Sequence, residues 1–166
     1  MSEAKSKFSA ALNPIASATV AIAGVSIIGM AVVQGWQVFA RYVLNSAPSW
    51  TEPMALFFMA TTMMFGAAAG VRSSRHFGFF ILVESARPPV RRMLRIVANL
   101  IAACTGLMLA IWGGEMMIDA WDYRMAGAPL PQGFAFMPLC VGGALIALFA
   151  IERVLVPLPE QQPAAE

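Results

Sequence analysis

Glu115, Asp119 and Asp122 recur three or four residues apart, a spacing that places three carboxylates on one face of a helix. Oxygen donors so arranged begin a hard-cation site. Without further ligand-type residues beside them, the reading adopted is a solvated helix end or a docking patch for a basic partner, to which the adjacent Arg124 belongs. Arg41 and Glu52 flank a short turn and either pair across it or act apart, Glu52 capping a helix while Arg41 reaches lipid headgroups. The single histidine, His76, cannot furnish a bis-histidine haem, and no His/Cys/carboxylate group has metal-ligand spacing, so no cofactor and no metal are implied. Cys104 and Cys140 fall at different depths of their segments, which disfavours a disulfide or redox pair and leaves them as small packing residues. The chain is expected not to be an enzyme.

The elements that carry these residues are set by four windows without a charged residue, at 8–40, 53–71, 96–114 and 125–151. At ~1.5 Å per residue each nearly crosses or exceeds a hydrocarbon core of ~30 Å. With 166 residues, 59% hydrophobic and 12% charged, little chain remains for a water-soluble domain. The expected fold class is an all-α membrane protein with four transmembrane helices, at about 15–39, 50–71, 94–118 and 134–156. These make one domain over 1–156, followed by a disordered, Pro-rich tail at 157–166. The first apolar stretch is too long for a signal peptide, so it is expected to be retained. Ser49 and Glu52 have capping-box spacing at the start of the second span, and Pro53 suits a first helical turn. The apolar run at 77–83 is too short to span and is expected at the membrane surface, with Pro88 and Pro89 breaking the chain after it. Gly127, Pro129, Pro131 and Gly133 mark the loop before the fourth span.

Orientation follows from the basic residues. The N-terminal segment, the loop at 72–95 and the C-terminal end hold Lys5, Lys7, Arg72, Arg75, Arg87, Arg91, Arg92, Arg95 and Arg153, against Arg41 and Arg124 in the other loops. Nine against two puts both termini in the cytoplasm, with Trp36, Tyr42, Trp50, Trp121 and Tyr123 at the opposite interface. Small residues four apart, Gly66 and Gly70, then Ala98, Ala102, Gly106, Ala110 and Gly114, form faces where helices approach closely. Such faces either hold the four helices together or dock a second membrane protein. Intramembrane charges mark ion paths and substrate sites, and the interiors of the four spans are read as having none. That argues against an autonomous transporter, including the small four-helix multidrug exporters with a carboxylate in their first span. An independent small transporter and a membrane redox enzyme are the alternatives to a scaffold.

The same segments resemble the small membrane subunit of tripartite ATP-independent periplasmic (TRAP) transporters. The likeness rests on Arg41-Tyr42-Val43-Leu44-Asn45 closing the first span, Trp50-Thr51-Glu52 opening the second, Phe65-Gly66-Ala67 within it, and Arg72 to His76 closing it. Pro53 stands where the family commonly has a second glutamate. The resemblance implies a scaffold that carries no solute itself. It would flank a large multi-span subunit holding the solute and sodium sites, while a periplasmic binding protein delivers a small, carboxylate-bearing solute. The location implied is a bacterial or archaeal inner membrane; independently of the resemblance, basic residues divided among short loops with no aromatic-interleaved stripe make a nucleic-acid partner unexpected.

Overall fold

The computed structural model describes residues 2–46, 48–73 and 88–156, and every regular element among them is helical. Helix α1 spans Ser2–Tyr42, α2 Thr51–Arg72, α3 Pro88–Asp119 and α4 Met137–Leu155, with a 3-10 turn at Gln132–Phe136 leading into α4. All four are long and apolar enough to cross a membrane. The expected surface segment at 77–83, His76 and the tail at 157–166 lie outside the described residues.

The helices pack in the order α1, α2, α4, α3: α1 lies on α2, α2 on α4, and α4 on α3. Exposure follows that order. In their most apolar windows the inner helices α2 and α4 are 28% and 33% buried, against 11% for the outer pair, so most of the surface of α1 and α3 is left uncovered by the chain itself. The shared core is small-sided, with Ala68, Val71, Ala102, Ile146, Phe149 and Ala150 buried together.

Local chemistry sets the helix ends. Helix α1 begins at Ser2, well before the expected start of the span near 15, because the segment before Asn13 carries Ala and Lys residues with little helix cost. It ends where Asn45 turns left-handed at φ 50°, a conformation Asn tolerates better than most side chains, with the Ser46 N–H donating to the Ala40 carbonyl. Pro88 and Pro89 start α3 rather than break the chain, because the first-turn amides they lack have no partner inside a helix. The capping box does not form. Trp50 is the N-cap of α2 without a side-chain bond, and the Ser49 hydroxyl donates instead to the Gly127 carbonyl at 3.0 Å. Thr51 holds the turn, its hydroxyl donating to the Pro48 carbonyl at 2.8 Å.

That Ser49 bond ties the two loops on the side away from the termini to each other. The longer loop is itself ordered: Met125 N–H donates to Leu130, Gln132 to Tyr123 and Gly133 to Ala120, with Met125 and Ala128 buried. Gly127 sits at φ +85° with the Ser49 carbonyl against the position a Cβ would take. Gly127→Ala therefore meets both a backbone penalty of ~1–2 kcal/mol and a clash. The expected result is faster amide exchange of Met125 and Gln132, with exchange in the middle of the helices unchanged.

Candidate functional site

The polar centre of the described residues is at the end where α1 starts and α4 finishes. Helices α2 and α4 run parallel, which brings Arg72, the last residue of α2, beside Glu152 in the final turn of α4. Arg72 Nε donates to Glu152 Oε2 at 2.9 Å and Nη2 to Oε1 at 3.2 Å, the two-pronged geometry a guanidinium offers a carboxylate. Ser9 and Asn13, one turn apart on α1, complete the group. The Ser9 hydroxyl donates to Glu152 Oε1 at 2.9 Å, while Arg72 Nη2 donates to Asn13 Oδ1 at 2.9 Å and the Ser9 carbonyl at 3.2 Å. The Arg72 guanidinium also lies 5.5 Å from the centre of the Phe149 ring, one turn before Glu152. Arg153 Nε donates to the Arg72 carbonyl, one of those that a helix end leaves without an internal partner.

Burial decides what this arrangement does. Glu152 is wholly enclosed and the Arg72 side chain is 13% exposed. Removing such charges from water costs several kcal/mol each and is offset only when the pair is well aligned and its remaining sites are bonded. Here both carboxylate oxygens have partners, and the guanidinium bonds α1 as well as α4. The group is a clamp across three helices.

Glu152 leaves the span interiors without charge, since it lies in the last turn of α4 just past the uncharged window, but it is buried there rather than solvated. The sequence signal was its place in the predicted fourth span together with Arg72 closing the second. Ser9 and Asn13 had no such signal, because their role exists only once α1 lies against α2.

The other predicted residues distribute as follows. Arg41, Tyr42, Trp50 and Glu52 are exposed, and Arg41 and Glu52 form no ion pair. Asn45 is the turn residue described above. Gly66 does not pack against the chain's own helices, since a Cβ there meets nothing within 4 Å. The Gly70 carbonyl accepts the Ser73 hydroxyl at 3.1 Å. Gly106 is a close contact, where a Cβ would lie 2.7 Å from Ala147 N and 2.8 Å from the Gly143 carbonyl oxygen. A Cβ on Gly114 would make only an ordinary contact with Cys140, whereas one on Gly113 would lie 2.9 Å from Cys140 N, so Gly113 is the tighter neighbour. Cys104 is exposed rather than a packing residue. Glu115, Asp119, Asp122 and Arg124 are all exposed at the opposite end, where Asp122 borders an open apolar groove with Met117, Ile118 and Trp121.

Four apolar helices, joined by close glycine contacts and an internally satisfied ion pair, define a multi-pass membrane protein. A family model described as "Tripartite ATP-independent periplasmic transporters, DctQ component" matches residues 30–159. The chain belongs to that family: it is the small component of a TRAP transporter, a transporter subunit rather than an enzyme. No curated protein matches it.

Proposed function

We propose that this chain is a non-catalytic scaffold and anchor in the cytoplasmic membrane. It would flank a large multi-span subunit that moves a small, carboxylate-bearing solute by sodium-coupled symport, after a periplasmic binding protein delivers the solute. The observation that carries this reading is the Arg72–Glu152 clamp. The one buried ion pair among the described residues is used up in joining α1, α2 and α4, while an ion or solute path needs polar groups that exchange partners during the cycle. A rigid unit of this kind gives a moving domain in the partner a fixed body to move against. No cofactor is required in this chain, and sodium would bind in the large subunit. The nine-to-two basic asymmetry supports cytoplasmic termini. Co-expression tests assembly: the purified chain is expected to bring down the large subunit, and recovery of the chain alone would count against the scaffold.

The loop-side surface then faces the binding protein. It carries Glu52, Glu115, Asp119 and Asp122 against Arg41 and Arg124, a net acidic surface suited to a basic partner. Exposed charges add little equilibrium energy each, but complementary patches raise encounter rates in a salt-dependent way. Asp119→Lys with Asp122→Lys is expected to slow uptake at limiting binding-protein concentration, with assembly intact and the defect shrinking at high salt. Wild-type uptake across the whole titration at low salt would exclude these residues from docking.

A further inference from the structure

The seam between α3 and α4 continues past the end of α4. Gly113 lies against Cys140, Ala110 against Gly143, and Gly106 against Ala147, an antiparallel register that puts Leu155, the last residue of α4, level with Ala98. Residues 88–97 of α3 therefore extend about 15 Å beyond it, at ~1.5 Å per residue. The α4-facing positions of α3 recur at heptad spacing, Gly113 with Gly106 and Leu109 with Ala102, and a further step of seven from Gly106 is Asn99. Continued by seven, the same two rows reach Arg92 and Arg95.

Burial changes where α4 stops. Gly113, Gly106 and Ala102 are buried on this seam, Asn99 is half-buried, and Arg95 and Arg92 are exposed. The inward face of the helix thus changes from small residues that admit a helix backbone to guanidinium groups that a helix backbone would not satisfy. Among the described residues no carboxylate pairs with either arginine, and Arg153 adds a further positive charge near this end. The level is equally defined. Helix α2, at 22 residues, is ~33 Å long against a hydrocarbon core of ~30 Å, so the ends of α2 and α4 mark the headgroup boundary on the side of the termini. Ile96 and Val97, the residues of this segment nearest that boundary, are exposed, and Met93 and Leu94 are exposed between the two arginines, as expected of a helix that leaves the acyl layer here while its cations reach the phosphates.

We propose that Arg92 and Arg95, where the α3 seam runs beyond α4, bind the phosphate headgroup of an anionic phospholipid in the leaflet on the side of the termini. The bound headgroup sits beside the projecting turns of α3, at the level where α4 ends. Its specificity is for negative headgroup charge, through charge-assisted hydrogen bonds from the two guanidinium groups.

The test uses the full chain in mild detergent, offered phosphatidylglycerol or phosphatidylcholine with the same acyl chains and examined by native mass spectrometry. Wild type is expected to retain phosphatidylglycerol in preference, and R92Q/R95Q to lose that preference by about fivefold for each arginine. R41Q/R124Q, altered at the opposite end, is expected to keep it. Matched helical content by circular dichroism keeps a folding defect from imitating the result. Equal preference in wild type and R92Q/R95Q overturns the proposal, as does an equal loss in R41Q/R124Q. Deletion of residues 157–166 should leave the preference unchanged; a preference that appears only after that deletion would mean that the chain's own acidic tail, with Glu160 and Glu166, fills the seam instead of lipid.

Discussion

Gly106→Leu is expected to separate α3 from α4 and to cause a large loss of stability. A Cβ alone would lie 2.7 Å from Ala147 N, 2.8 Å from the Gly143 carbonyl oxygen and 2.9 Å from Ile146 Cγ2. Two of these three are backbone atoms of α4, which cannot step aside as a flexible side chain can. The helices must move apart along a contact that also includes Gly113 against Cys140 and Gly143 against Ala110. Overpacking costs ~1–3 kcal/mol where side chains can rearrange, so a collision with backbone belongs at or above the top of that range. Because van der Waals contact rather than exclusion from water holds helices together in lipid, little offsets the loss. Thermal unfolding of the purified chain should show a clear drop. Gly66→Leu is the matched control: its side chain enters open space, and replacing a helical glycine removes a penalty of ~1 kcal/mol. It should leave the isolated chain at least as stable as wild type, and any loss of assembly would then mark the Gly66 face as the one the large subunit covers.

Glu152→Ala is expected to release α1 from α2 and α4. The substitution removes the acceptor of two Arg72 bonds and of the Ser9 hydroxyl, and leaves a guanidinium over Phe149 without its counter-charge. Breaking one side of a buried pair costs ~3–5 kcal/mol. The lower end applies, since Arg72 is the last residue of its helix, is 13% exposed and can swing toward water. Proteolysis or amide exchange in the first turns of α1 should rise sharply while the α3–α4 seam stays protected. Arg72→Met with Glu152→Met should recover most of the stability, because a buried pair exchanged for apolar side chains of similar volume is often neutral or better. A double variant as unstable as Glu152→Ala would mean that the bonds to Ser9 and Asn13, rather than charge balance, hold the end together.

The sequence made the spans legible because each is an uncharged window between charged ends, and in lipid that pattern leaves few alternatives to a helix. Helix ends were less legible. The spacing of Ser49 and Glu52 fits a cap, yet the Ser49 hydroxyl serves a loop 78 residues away, and local spacing cannot register a competing long-range acceptor. The prolines at 88 and 89 read as a break because a proline forbids a helix before it more strongly than after it. Glycine spacing pointed to close contacts without naming the neighbours: Gly106 meets α4, whereas Gly66, with the same spacing of small residues by four, faces open space. Glu152 was hidden by its place just past the end of an uncharged window, where a carboxylate reads as a solvated helix end. Its burial depends on Arg72, 80 residues earlier, and on the turn of α1 that covers both.

The most direct test of the scaffold is solute uptake by proteoliposomes carrying the complete transporter with Arg72→Met and Glu152→Met together in this chain, normalised to the amount of assembled complex. A clamp that only joins helices predicts uptake per complex and sodium dependence equal to wild type. An assembled, stable complex that no longer transports would contradict the account, because it would place the ion pair in the transport cycle rather than in the frame around it.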